Sequence, residues 1–389
     1  MRAPSSSLSV LLSEAAMAMQ RGDMPGALSI LNEAEVQFPR NPEVGMARAV
    51  LLRVSGNLIQ SIAALDEVLS IDPYHYFALL SKGSLLERLA GPKAAAKIYR
   101  NALKIAPAEE QMPENLRAPT RHARQVVALD QSALRDFLAA RVQTSAAQLP
   151  DSAAFRFNES IDMMLGFKKP YVQEPLFFHY PQLPAITFYP RELFPWLQEL
   201  EAATSMIQSE LEAAQARISG DFKPYIQYPS DAPVNQWAEL NHSARWSTLF
   251  LWKDGQRQDE VTELFPGTMA LLDSLPMAHQ AGFSPTAMFS RLDPHTTIPP
   301  HTGSTNVRLI AHLPLVLPGP ASFRVGNETR EWKMGQAWVF DDTIEHEARN
   351  DASEARTILI FDVWNPFLTE GERALVTELL QARNEYYST

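Results

Sequence analysis

The chain has no cysteine in its 389 residues. That absence excludes disulfides, thiolate-bound zinc and thiol catalysis together. A concentrated basic stripe is also missing: 34 lysines and arginines stand against 45 acids, a formal net charge of −11. Nucleic acid is therefore not expected as a partner. No apolar run approaches the roughly 18 residues that a membrane span needs. The short run at residues 8–12 is closed by Ser13 and Glu14, too soon for a signal peptide. The expectation is a cytoplasmic protein without a membrane span. At this length, two domains are expected.

The first part of the chain repeats itself. Arg21-Gly22-Asp23, Ser55-Gly56-Asn57 and Ala90-Gly91-Pro92 recur at intervals of 34 and 35 residues, and Pro39, Pro73 and Pro107 follow the glycines by 16 or 17. Glycine opens a tight turn after one helix and proline ends the next. A period near 34 built from helix, turn and helix resembles the tetratricopeptide repeat over residues 8–110. On that resemblance Gly22, Gly56 and Gly91 match the turn between paired helices. Ala27, Ser61 and Ala96 match the small residue at their crossing, although the repeat's tryptophan and tyrosine signature is missing. Three such repeats can offer a concave surface to a peptide or partner protein.

Residues 111–165 read as a helical capping or linking segment, punctuated by Pro113, Pro119 and Pro150, with a helix at 125–142. The texture then changes. Residues 177–184 are Pro-rich and extended, one helix is expected at 192–216, and short strands follow at 246–252, 286–292, 306–317, 322–325, 329–332, 336–340 and 357–363. Gly326-Asn327 fits a two-residue hairpin turn. Seven or more short strands suggest a double-sheet jelly roll, here taken as residues 166–389.

Chemistry concentrates in Pro300-His301-Thr302-Gly303-Ser304-Thr305-Asn306, Glu345-His346-Glu347 and Arg356. Two histidines 45 residues apart, with an arginine ten residues after the second, have the layout of a mononuclear non-haem iron site that uses 2-oxoglutarate; imidazole suits Fe(II). His301 is expected on the loop entering the strand at 306–317, and His346 after the acidic turn Asp341-Asp342. The turn Asn350-Asp351-Ala352-Ser353 is expected to return the chain antiparallel and lay Arg356 beside the metal-bearing edge. Strand parity puts Arg356, Ile358, Ile360 and Asp362 on one face. It also puts Arg308, Ile310 and His312 opposite an apolar face of Leu309, Ala311, Leu313 and Leu315. A buried arginine needs an anion, and the distal carboxylate of 2-oxoglutarate would fill that need as a bidentate partner. Isolated histidines such as His75, His122 and His179 read as structural.

In order along the chain, Ser290, Pro300-His301-Thr302-Gly303, Arg308, His312, Asn327-Glu328-Thr329-Arg330, Phe340-Asp341-Asp342, Glu345-His346-Glu347, Arg356 and Asp362-Val363-Trp364 resemble the aspartyl/asparaginyl β-hydroxylase family. These are Fe(II)- and 2-oxoglutarate-dependent dioxygenases, and the resemblance covers about residues 230–370. It implies only two protein ligands for iron, His301 and His346, because Gly303 stands where other oxygenases carry a carboxylate. It further implies Arg356 and Ser290 on the distal carboxylate of the co-substrate, His312 near its iron-binding end, and Arg308 at the substrate end. Ile310 departs from a second arginine found in animal members, which puts an aspartyl side chain as substrate in doubt.

The expected fold is thus multidomain α+β: all-α tetratricopeptide-like repeats, then a double-stranded β-helix (jelly-roll) oxygenase domain. The expected function is hydroxylation of an unactivated C–H on a side chain of a protein or peptide docked by the repeats. The alternatives are a small metabolite or lipid acyl chain as substrate, or a non-catalytic repeat scaffold with a relic jelly roll.

Overall fold

A computed structural model describes residues 7–218, 222–280 and 282–388. The chain divides into two units, 1–167 and 168–389.

The first unit is helical. Helices α1 (Leu8–Gln20), α2 (Met24–Gln37), α3 (Pro42–Val54), α4 (Leu58–Ile71), α5 (Tyr76–Ala90) and α6 (Pro92–Lys104) follow one another in pairs. The pair-closing turns hold Gly22, Gly56 and Gly91 at φ of +81°, +81° and +85°. This left-handed conformation is one that only glycine adopts without cost, which explains the recurrence in the sequence. The small residues five positions later, Ala27, Ser61 and Ala96, are buried. The hydroxyl of Ser61 reaches across its helix pair and donates to the Ala49 carbonyl at 2.7 Å, so a polar residue is accommodated at a crossing point. Asp23 and Asn41 cap α2 and α3 by accepting backbone N–H bonds.

Helix α7 (Glu114–Ala146) then runs 33 residues, against the shorter 125–142 expected. Pro119 lies inside it and does not break it. It falls in the second turn, where one missing N–H costs little of a long ladder. Helix α8 (Asp151–Met164) follows. Arg135 pairs with Asp162 at 2.7 Å, and Gln131 donates to the Leu165 carbonyl.

The second unit opens with α9 (Leu197–Ala202) and α10 (Thr204–Ile218), two helices where the sequence suggests one at 192–216. The break falls at Ala203, where the Thr204 hydroxyl donates to the Glu201 carbonyl at 2.6 Å. Side chain–backbone bonds of this kind compete with helix continuation. There follow β1 (Lys223–Pro224), β2 (Trp246–Lys253), β3 (Gln256–Arg257), α11 (Asp259–Thr262), α12 (Pro266–Ser274), β4 (Ala287–Leu292), β5 (Thr296–His301), β6 (Arg308–Val316), β7 (Ala321–Val325), β8 (Glu328–Glu331), β9 (Trp338–Phe340), β10 (His346–Asn350), β11 (Arg356–Trp364) and α13 (Glu370–Ser388).

The strands form two antiparallel sheets. One has the order β1-β2-β4-β11-β6-β9 with β3 beside β2, and the other β5-β10-β7-β8. Together they make a double-stranded β-helix. The larger sheet buries Leu309, Ala311, Leu313, Leu315, Leu359, Phe361 and Val363 on its outer face against α9, α10 and α12. Fully burying each of these leucine, phenylalanine and valine side chains is worth about 1.5–3 kcal/mol. Its inner face meets Ile298, Phe323, Val325 and Ala348 of the smaller sheet. Gly326 and Asn327 join β7 to β8, with Val325 directly opposite Glu328, so the hairpin turn has the length the sequence suggests.

The path after β10 corrects one expectation. The turn at 350–353 does not return the chain beside β10. It crosses to the other sheet, where β11 pairs with β4 and β6. Asn350 pins that crossover: its side-chain amide donates to the carbonyls of Leu292, Asp293 and Glu354. Arg356 therefore faces the histidines from across the space between the sheets.

Candidate active site

His301 and His346 face one another across neighbouring strands. They stand opposite each other in register as the last residue of β5 and the first of β10. His301 lies on a strand rather than on the loop that the sequence suggests. The strand β5 ends in Pro299-Pro300-His301, and prolines argue against a central strand. Here β5 is the outermost strand of its sheet, the place where proline is tolerated. The two ring centroids are 4.1 Å apart.

Each ring is held by its own backbone. Nδ1 of His301 lies 2.8 Å from the Pro299 carbonyl oxygen, and Nδ1 of His346 lies 3.0 Å from that of Ile344. A carbonyl can only accept, so Nδ1 carries the proton in both rings. That leaves both Nε2 lone pairs for a metal. Burial lowers the basicity of both imidazoles, and His346 is held further down by the neighbouring His301. Neutral rings are what a metal requires. Trp237 closes one side, edge-on to His301 at 4.9 Å.

No group of three or more His, Asp or Glu arranged for a metal occurs among the described residues. At Gly303 the reason is visible: a Cβ built there would lie 1.8 Å from Oδ2 of Asp342. The carboxyl of Asp342 fills the volume a residue-303 side chain would need. Burial, and then the charge of Asp341, push the Asp342 carboxyl up to about 8. Asp341 itself is turned away and bonded to Thr343 and Gln173.

A cavity of about 300 Å³ extends from the histidine pair between the sheets. Its lining includes Ser290, Arg308, His312, Asp342, Arg356 and Asp362. Arg356 is 2% exposed and makes no ion pair among the described residues. It donates to the Ser290 carbonyl at 3.3 Å, and its Nε has no partner. Burial alone lowers its pKa to about 9. Ser290 accepts from the Trp246 indole at 3.1 Å, so its own hydroxyl hydrogen remains for a ligand. His312 is buried with Nδ1 unpartnered. Burial, followed by the charge of Arg356, keeps it neutral.

Arg308 also reaches the cavity wall, but its guanidinium is 2.5 Å from Asp362 and 3.2 Å from the Phe283 carbonyl. Arg324 is taken up by Glu345 and Glu347 at 2.9 and 2.8 Å. The structure thus brings His301, His346, His312, Ser290 and Arg356 around one cavity, with Arg308 at its wall already paired. Sequence reasoning missed Leu176, Tyr225 and Trp237, which also line the cavity. They come from irregular segments whose approach to the site depends on long-range contacts. Leu176, for example, is placed by its N–H donating to the Gly303 carbonyl.

Residues 201–366 match the family model described as aspartyl/asparaginyl beta-hydroxylase. Over these residues the second unit is similar to that family. The human aspartyl/asparaginyl beta-hydroxylase is 34% identical over 178 residues, covering 46% of this chain and 22% of its own. The mouse protein of the same name is 39% identical over 46% of this chain and 24% of its own. An ornithine lipid ester-linked acyl 2-hydroxylase of Rhizobium tropici is 32% identical over 50% of this chain and 66% of its own. The chain therefore spans less than a quarter of the length of the two mammalian relatives. For the first unit, the Arabidopsis OM64 TPR domain overlays 30% of this chain and 94% of its own at 21% identity, with a TM-score of 0.26. The helix pairing and the glycine turns, rather than that overlay, carry the description of the repeats.

Proposed function

We propose that the second unit is an Fe(II)- and 2-oxoglutarate-dependent hydroxylase acting on an unactivated C–H of an amino-acid side chain in a protein or peptide. The observation that carries this reading is Arg356. A fully buried cation without a carboxylate partner lies in the same cavity as two imidazoles whose Nε2 atoms are free. A buried charge is stable only when paired. A dicarboxylate with one end on a metal at the histidines and the other on Arg356 supplies that pair.

The donor set fits. His301 and His346 would hold the metal through Nε2, as suits Fe(II). Iron with 2-oxoglutarate, when bound, supplies the oxidising chemistry of C–H hydroxylation. The chain's own residues bind and orient. Arg356 and the Ser290 hydroxyl fix the distal carboxylate by charge-assisted bonds. Neutral His312 offers a ring nitrogen beside the chelating end. Trp237, Phe323 and Phe340 exclude water around the histidines. The repeats of the first unit would dock the target protein, as paired-helix arrays with a concave surface can.

One observation favours a second substrate class. Ile310 and Leu176, both cavity-lining, are apolar, and Leu176 is 77% exposed. The Rhizobium relative is named for an acyl chain. An acyl group in place of a peptide is therefore the runner-up. The test is iron-dependent conversion of 2-oxoglutarate to succinate by the full chain, with and without Asp- and Asn-containing peptides or acylated amino acids. Stimulation by peptides supports the first reading, and stimulation by acyl compounds supports the second. No iron-dependent succinate under any condition would leave the scaffold reading.

A further inference from the structure

Arg356 has no anion beside it, yet something must hold its guanidinium in a dry site. The nearest candidate is an aromatic face. The guanidinium carbon of Arg356 lies over the ring of Trp332 at 4.9 Å. Trp332 is itself buried and follows directly on β8. Its backbone N–H donates to the Ala321 carbonyl, which ties it to β7. The same indole is stacked with His312 at 6.0 Å and with Trp338 at 5.7 Å. One ring thus touches both the cation and the neutral imidazole that flank the inner cavity.

We propose that Trp332 is a positioning residue that holds the Arg356 guanidinium through its ring face and so leaves the N–H fork for the distal carboxylate of a dicarboxylate co-substrate. This rests on the reading of Arg356 given above. The physical point is a difference between two ways of stabilising a buried cation. A carboxylate neighbour would occupy the same N–H groups that must bind the ligand, and would cancel the charge that attracts it. An indole face attracts the cation by its quadrupole and is most effective when the pair is desolvated. The guanidinium N–H bonds lie in the plane of the group, so contact with a ring through the face leaves them directed elsewhere. The orphaned Nε of Arg356 and its single long bond to the Ser290 carbonyl fit a fork kept for something else. Trp332 does not line the cavity, so its effect on a distal carboxylate would run through Arg356.

The experiment separates that role from simple packing. The full chain is loaded with Mn(II) without oxygen and titrated calorimetrically with two ligands. 2-Oxoglutarate has a chelating end and a distal carboxylate, while oxalate has the chelating end alone. Trp332→Leu should weaken 2-oxoglutarate roughly ten- to thirtyfold, the worth of a desolvated cation–π contact. Oxalate should change by less than about twofold, since it makes no use of Arg356. Trp332→Phe, which keeps a smaller ring, should lie between wild type and Trp332→Leu.

If Trp332→Leu does not fold, fluorinated tryptophans at position 332 preserve the shape and withdraw charge from the face. 2-Oxoglutarate affinity should then fall with each added fluorine. Equal losses for both ligands, or an affinity indifferent to fluorination, would overturn the proposal and reduce Trp332 to core packing. A wild-type protein that binds oxalate but not 2-oxoglutarate would remove the reading of Arg356 as well.

Discussion

The carboxyl group of Asp342 lies in the volume that any side chain at Gly303 would have to enter, with Oδ2 only 1.8 Å from an ideal Cβ. The two positions come from different strand ends, joined by the Gly303 N–H donating to the Asp342 carbonyl at 2.6 Å. Restoring an ordinary third carboxylate ligand by Gly303→Asp should therefore fail. The new side chain must displace Asp342 and puts a second acid beside it, and overpacking of this kind costs about 1–3 kcal/mol. Thermal melting should show the loss of stability, and Mn(II) titration should show no gain in affinity. Tighter metal binding with unchanged stability would mean that Asp342 yields freely.

His301→Ala and His346→Ala should each abolish stoichiometric Mn(II) or Fe(II) binding while cooperative unfolding is retained. The rings are held by nearby backbone carbonyls, His301 by Pro299 and His346 by Ile344 and Asp342, so neither organises the sheet. Two ligands leave no redundancy. Metal titration followed by circular dichroism checks both halves, and a mutant that still binds one equivalent would point to Asp342 or Glu345.

Arg356→Ala should weaken 2-oxoglutarate by two to three orders of magnitude. Removing one partner of a buried charge pair costs roughly 3–5 kcal/mol, and about 1.4 kcal/mol is tenfold. Arg356→Lys should recover only part, because a point charge cannot replace the fork. Arg356→Met should in addition raise the melting temperature of the ligand-free protein, since it removes a buried charge without an ion-pair partner. Unchanged co-substrate affinity in these mutants would make Arg356 structural.

Asp342 gives a pH dependence with a definite sign. Its folded pKa, raised to about 8 by burial and Asp341, lies above the unfolded value near 3.9. The folded state therefore binds the proton more tightly across that window, and unfolding releases it. The stabilisation is fully present below about pH 4 and is lost as pH rises through about 8. In the metal-free protein, Asp342→Asn should match wild type at low pH and exceed it in stability at pH 9. Parallel pH profiles for the two proteins would contradict this.

The sequence was legible where local chemistry dictates local shape. Gly22, Gly56 and Gly91 announce three helix pairs because only glycine takes that turn cheaply. The alternation through Arg356, Ile358, Ile360 and Asp362 announces which face of β11 is polar. It was not legible where a contact decides the outcome. Strand β5 is concealed by Pro299 and Pro300, which read as loop until the strand is known to be at an edge. The crossing from β10 to β11 depends on Asn350 finding three carbonyls, two of them more than fifty residues away in sequence. Trp237 and Leu176 reach the site from stretches without regular structure, so no periodicity marks them.

The position of β5 has one more consequence. It is the outer strand of its sheet, its ladder to β10 is irregular between His346 and Ala348, and Pro299 and Pro300 contribute no N–H. Its histidine-bearing end is thus less securely hydrogen-bonded than β10, which is bonded on both sides, to β5 and β7. A metal held by both rings would clamp a fraying edge to a fixed interior strand. In amide-exchange terms, the Thr302 amide should exchange more slowly on metal loading, while that of Gly303, already bonded to the Asp342 carbonyl, should change less.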